Sequence, residues 1–291
     1  MTDKYVFVGD RFPVLSKMIE CGCLVVKVFA VSNSSLSREL DSRKYDYHPI
    51  ESKKNLLSAL KDTDYDILVS NGCPYILPIS ELDDGNKKFI NLHPSLLPDL
   101  RGMSPINGAI LFDHKHGVTC HFMDDGMDTG AIIAQKEIPI EENINLYLLY
   151  RLTFLMEGEV FEEALLNHFN PTKLNISDSK CISYKRTEED MIIRETDDLN
   201  MVLRRIRAFN LAGKFAKIMH NEKLLRISEC IVIDNPLFFD LFRNNSVYTV
   251  VDTYGDEYFL YKTKDKLLQF KTLDLGMIKK GEEITIGNQT F

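Results

Sequence analysis

Short apolar runs alternate with helically spaced apolar residues through the first half of the chain. Residues 5–8 are β-branched or aromatic and stop at Gly9-Asp10-Arg11, residues 12–21 have helical spacing, and residues 24–31 return to strand character. A helical 55–61 follows, then strand-like 65–69 and 88–92. This alternation predicts βαβ units: an α/β fold with a Rossmann-like, mostly parallel sheet and flanking helices. Residues 103–112 predict a helix. Residues 117–123 alternate Val118, Cys120 and Phe122 against Thr119, His121 and Met123, as a strand does. A long helix is expected over 145–169, ended by Asn170-Pro171. Residues 173–188 form a polar connector and 200–209 a further helix. Five short strand patterns, at 224–234, 247–253, 257–263, 267–273 and 283–286, then predict a small, mainly β C-terminal domain. The expected division is 1–182 for the α/β domain and 183–291 for the connector helix and β module.

In open parallel sheets ligands bind beyond the carboxyl ends of strands. There the segment Asn91-Leu92-His93-Pro94-Ser95-Leu96-Leu97-Pro98 places two polar side chains two residues apart, on one face of a strand end. Thirty-five positions beyond His93, the glycine-punctuated turn Asp124-Asp125-Gly126-Met127-Asp128-Thr129-Gly130 offers a carboxylate to that imidazole. An amide donor, a titratable ring and a carboxylate suit acyl transfer. Dinucleotide binding is not expected, because no GxGxxG follows any strand; the Walker pattern is also missing.

Composition narrows the picture. The chain has 291 residues, 44% of them hydrophobic and 27% charged, with no apolar tract of membrane-spanning length and no apolar signal core behind Met1. Its six cysteines are scattered, and Cys21-Gly22-Cys23 lacks the spacing of a zinc or redox pair, so reduced thiols and a cytoplasmic location are expected. His114, His116 and His121 lack acidic partners at ligand spacing, so no metal site is expected. The net charge of −8 argues against non-specific polyanion binding, although residues 201–291, with 14 Lys/Arg against 11 Asp/Glu, stand at +3. Nucleic acid and membranes are therefore not the expected partners.

The motifs also carry a resemblance. NLHPSLLP, Arg101-Gly102 with Pro105, Gly117-Val118-Thr119 with His121, and Asp128-Thr129-Gly130 together resemble the formyltransferases that use N10-formyltetrahydrofolate. The RG..P form is most like the methionyl-tRNA and sugar-nucleotide branches. Arg205 to Asn210 followed by Gly213 resembles the start of the small C-terminal domain those branches share. The resemblance implies Asn91, His93 and Asp128 as catalytic residues and N10-formyltetrahydrofolate as co-substrate, its pterin held by the loop carrying Leu77, Pro78 and Ile79 and by the turn with Asp125 and Asp128. It implies that Ser95, Arg101 and Met103 border the acceptor, although Arg101 could instead pair with Asp99. Tyr184-Lys185-Arg186 resembles a stretch that could contact a diphosphate in sugar formyltransferases, and Arg11 is a second diphosphate candidate. The implied acceptor is a nucleotide-linked amino sugar, dTDP-4-amino-4,6-dideoxyglucose foremost. Residues 31–49 lack the long basic insertion of the tRNA enzymes. Methionyl-tRNA, and a non-catalytic folate-binding regulatory role, remain the alternatives. By analogy a homodimer is expected, with the short C-terminal strands offering edges that need cover.

Overall fold

Val6, Phe7 and Val8 have no exposed surface, and neither have Leu68 and Val69 further along the chain. Strands buried on both faces read as continuous apolar runs, which is why they form the middle of a sheet. The computed structural model describes residues 3–142 and 144–288. Through residue 166 its elements are β1 (Lys4–Gly9), α1 (Phe12–Glu20), β2 (Leu24–Val31), α2 (Ser35–Arg43), β3 (His48–Ile50), α3 (Lys53–Lys61), β4 (Ile67–Asn71), α4 (Ile79–Leu82), β5 (Lys88–His93), α5 (Pro105–Phe112), β6 (Gly117–Phe122), β7 (Ile132–Glu137) and α6 (Leu146–Leu166). The sheet order is β3-β2-β1-β4-β5-β6-β7. The pairs from β3 to β5 are parallel, whereas β5–β6 and β6–β7 are antiparallel, so the sheet is mixed but mostly parallel.

Local chemistry sets the element ends. Ser34 and Ser52 cap α2 and α3, each accepting the backbone N–H three residues on at 3.1 Å. Gly9 closes β1 where a Cβ would lie 2.1 Å from the Asn71 carbonyl oxygen, so only glycine lets β1 and β4 pair at that end.

The chain divides into two compact units. The first comprises residues 1–106, 115–141 and 148–185; the second comprises 107–114, 142–147 and 186–291. In the second, α7 (Leu199–Ala208) follows a 3-10 turn, Asp198 capping it through the Met201 N–H. Then come β8 (Asn210–Leu211), β9 (Lys214–His220), β10 (Lys223–Ile233), α8 (Pro236–Leu241), β11 (Thr249–Tyr254), β12 (Tyr258–Lys262) and β13 (Leu267–Thr272). They form an antiparallel six-stranded sheet in the order β11-β12-β13-β10-β9-β8. Its core joins Val202 and Ile206 of α7 to Leu225, Tyr261 and Phe270. The strand expected at 283–286 does not form. Glu283 makes a single bridge to Thr249, and Ile284 and Ile286 serve that core instead. Strands β3, β7, β8 and β9 and helices α2, α4 and α8 are additions to the elements predicted from pattern. No helix among the described residues is long and apolar enough to cross a membrane.

Candidate active site

Asn91 and His93 leave the same face of β5, and the antiparallel neighbour β6 sets Asn91 opposite His121 and His93 opposite Thr119. The loop beyond β5 is fastened from below. The Thr119 hydroxyl donates to Ser95 O at 2.6 Å and accepts from Leu97 N at 3.1 Å and Gln135 Nε2 at 2.7 Å, while Gln135 Nε2 also donates to Leu97 O at 2.8 Å. The Leu97–Pro98 peptide is cis. Leu100 has a positive φ of 56° and its carbonyl turns to His93 Nε2, 3.0 Å away.

The second half of the site is the turn after β6. Asp124 Oδ1 accepts Gly126 N at 3.0 Å and Thr129 Oγ1 at 2.5 Å, folding the turn on itself. Asp128 takes a left-handed φ of 56°, a conformation aspartate tolerates better than most residues. Its Oδ2 accepts Gly102 N at 3.0 Å and lies 3.6 Å from His93 Nδ1; its Oδ1 lies 3.5 Å from Asn91 Nδ2 and 3.7 Å from His121 Nε2. From outside, Asn175 Nδ2 donates to Asp128 O at 2.8 Å and Gly130 O at 3.0 Å, and Arg101 Nη2 donates to both oxygens of Asn175 at 2.9 Å. The three residues drawn together from sequence therefore converge around one carboxylate.

Donor and acceptor roles follow from the partners. A carbonyl only accepts, so His93 Nε2 carries a proton toward Leu100 O. Its Nδ1 faces the Asp128 carboxylate at 3.6 Å. His121 is the residue that pattern reading missed as a site member. It is buried, and desolvation, ahead of the opposing pull of Asp128, lowers its pKa to about 4. His116 is likewise lowered to about 4 by burial and bonds Thr153 Oγ1 at 2.7 Å through Nε2, away from Asp128. Among the described residues no group of three or more His, Cys, Asp or Glu is placed to hold a metal ion.

The remaining candidates separate. Leu77 and Ile79 are buried in the core beside Val6 and Val8, which leaves the backbone of 77–79 and half-buried Pro78 to meet a ligand. Asp125 Oδ1 accepts Ser80 N at 3.1 Å, which joins this loop to the Asp128 turn, and the Ser80 hydroxyl and N–H together hold the Asp125 carboxyl below the usual range. Met103 is 72% exposed beside Gly102. Arg101 is engaged with Asn175, not with Asp99, and Asp99 Oδ1 instead accepts Leu100 N and Ile182 N, each at 2.9 Å.

Three further candidates have partners within the fold. Ser95 has no exposed surface and its hydroxyl donates to Asp99 O at 2.7 Å. Tyr184 is buried and its backbone pairs with Arg101 and Ser104, while Lys185 stays exposed and Arg186 half-buried. Arg11 is committed to Glu157 at 2.5 Å and Asp10 at 3.1 Å, and lies over the Phe154 ring at 4.4 Å, which argues for a structural ion pair over a diphosphate contact.

A family model described as formyl transferase matches residues 26–165. The methionyl-tRNA formyltransferase of Ehrlichia chaffeensis is 33% identical over 222 residues, 75% of this chain and 67% of that protein. That of Syntrophus aciditrophicus is 33% identical over 176 residues, 59% of this chain and 56% of that protein. The chain spans about half the length of the first curated relatives it matches, 56% and 47%. Among solved structures, a sugar 3N-formyl transferase in the presence of dTDP and 5-N-formyl-THF shares the fold at TM-score 0.69 and 20% identity, over 94% of this chain and 99% of that one. The N-formyltransferase of Helicobacter canadensis in complex with folinic acid and dTDP-3-aminofucose does so at TM-score 0.67 and 16% identity, over 94% and 100%. By its motifs, its sheet topology and the extent of the Ehrlichia match, the chain belongs to the formyl transferase family.

Proposed function

We propose that this chain transfers a formyl group from N10-formyltetrahydrofolate to the exocyclic amine of a nucleotide-linked amino sugar, a dTDP-4-amino-4,6-dideoxyhexose such as dTDP-4-amino-4,6-dideoxyglucose. The observation that carries the reading is the convergence of Asn91 and His93 on Asp128. The folate fits the donor set: backbone at 77–79, joined through Ser80 and Asp125 to the Asp128 turn, frames a surface for a flat heterocycle. When bound, the folate supplies an electrophilic formyl carbon on a nitrogen leaving group. The chain's part is to place donors and move protons. An Asn91 N–H and a His93 ring N–H meet the charge developing on the formyl oxygen, each donor contributing about 3 kcal/mol when preorganised. Leu100 O holds the far side of the His93 ring, so its Nδ1 edge stays aimed at the site. Asp128 orients that ring and takes the proton shed by the attacking amine, while the leaving nitrogen gains one from the same network.

The sugar acceptor is supported by the acidic net charge and by solved relatives of the same length that act on sugars. Methionyl-tRNA is the second reading, supported by the printed activity of the relatives at 33% identity. Purified protein, N10-formyltetrahydrofolate and a panel of dTDP-, UDP- and GDP-linked 3- and 4-amino sugars, beside methionyl-tRNA, decide between them. Mass spectrometry is expected to show formylation of a dTDP-4-amino sugar. Formylation of methionyl-tRNA alone would overturn the acceptor assignment. A homodimer is the assembly we favour, given exposed Leu237 and Leu241 on α8 and the short edge strand β8; sedimentation as a monomer at micromolar concentration would refute it.

A further inference from the structure

An amide side chain can present its oxygen or its nitrogen to a reacting atom, and something must choose. In this site the choice is made by His121. Its Nδ1 lies 2.6 Å from Phe122 O, an atom that only accepts, so the ring proton sits on Nδ1. The ring is buried against β5, and desolvation keeps it neutral. A neutral ring protonated at Nδ1 has a bare Nε2, and 3.1 Å from it stands Asn91 Nδ2, which must therefore donate. The reverse rotamer would set the Asn91 oxygen against the Nε2 lone pair and against Asp128, two acceptors facing a third. With one N–H spent on His121, the second points toward Asp128 Oδ1 at 3.5 Å, the outer limit of a hydrogen bond, and is free to turn to a stronger acceptor.

We propose that His121 is a positioning residue for formyl transfer: the chain Phe122 O, His121 and Asn91 fixes which end of the Asn91 amide faces the reactive carbon. This rests on the formyl-transfer reading, and the test keeps the two separable. His121→Phe fills the ring's volume but removes the acceptor, and His121→Gln returns an acceptor near the position of Nε2. Expected for His121→Phe is a fall in kcat of about ten- to a hundred-fold, with KM for both substrates within about two-fold, because only a charge-stabilising donor is lost. His121→Gln is expected to recover most of it. In an Asn91→Ala background, His121→Phe is expected to cost less than about two-fold, since its target is gone. An equal cost in both backgrounds would show a merely structural role and overturn the inference. Independently of turnover, 15N–1H correlation spectra of the wild-type imidazoles are expected to show His121 as the Nδ1–H tautomer at neutral pH. An Nε2–H tautomer or an imidazolium would sink the proposal even if formylation is confirmed; a wild-type enzyme inactive on every acceptor would instead sink the parent reading, with the tautomer still measurable.

Discussion

Two polar networks stand at carboxyl ends of strands in the first unit, and they are built to opposite tolerances. Beyond β1 and β4, Arg11 is clamped at 2.5 Å to Glu157, a side chain with no exposed surface, and roofed by Phe154. Beyond β5, Asp128 has one firm bond, to Gly102 N at 3.0 Å, while Asn91, His93 and His121 wait 3.5 to 3.7 Å away. The Arg11–Glu157 contact is short and buried, with Glu157 Oε2 left without a hydrogen bond among the described residues; the loose cluster around the Asp128 carboxylate keeps capacity that a substrate can complete. The looseness, more than residue type, separates the reacting network from the structural one, since both contain a carboxylate and nitrogen donors.

The sharpest way to break this contrast is to edit the loose network. His93→Ala or Asp128→Asn is expected to lower kcat by ~10³-fold or more while the thermal midpoint stays within a few degrees; steady-state kinetics beside calorimetry checks both halves, and retained turnover in Asp128→Asn would dissolve the distinction. The clamped network should respond the other way. Glu157→Ala removes the fully buried partner of Arg11, leaving only Asp10 beside its charge, and is expected to cost about 3–5 kcal/mol in urea unfolding.

Glu157→Gln sharpens the point through pH. Burial, outweighing the attraction of Arg11, pushes the Glu157 carboxyl from 4.5 up to about 7. A group raised on folding contributes stability that is complete below its unfolded pKa and is lost as pH climbs through the folded one. The stability of wild type relative to Glu157→Gln should therefore decline between pH 4.5 and 7, by up to about 3 kcal/mol. A flat difference across that window would mean that Arg11 keeps the carboxylate charged throughout. The smallest effect is expected at Asp125→Asn, which weakens the tie to Ser80 N. KM for the formyl donor should rise about two- to five-fold, with the acceptor KM unmoved.

How much of this was readable in advance depended on distance along the chain. The β5 end was legible because a period of two puts Asn91 and His93 on one face whatever the tertiary structure does. His121 needed one further step, the antiparallel register that sets it across from Asn91. The alternation through 117–123 marked the strand but not its partner. The partner of Arg11 was not legible because it lies 146 residues on, in a helix whose pattern does not mark Glu157. Residues 283–286 have the apolar alternation of a strand, yet Ile284 and Ile286 spend it on filling the second unit's core. Strand β7 escaped notice because Gln135 and Lys136 dilute its apolar run, although Gln135 is what ties down Leu97.

Asn175 carries a practical consequence for anyone who would shorten this protein. Its amide braces the backbone on either side of Thr129, Arg101 braces Asn175 in turn, and Tyr184 N closes the arrangement on Arg101 O at 2.9 Å. A fragment cut where the family match stops, at residue 165, would retain Asn91, His93 and Asp128 and yet lose the splint that sets the aspartate's backbone. The smallest piece able to work must run some twenty residues past the last turn of α6.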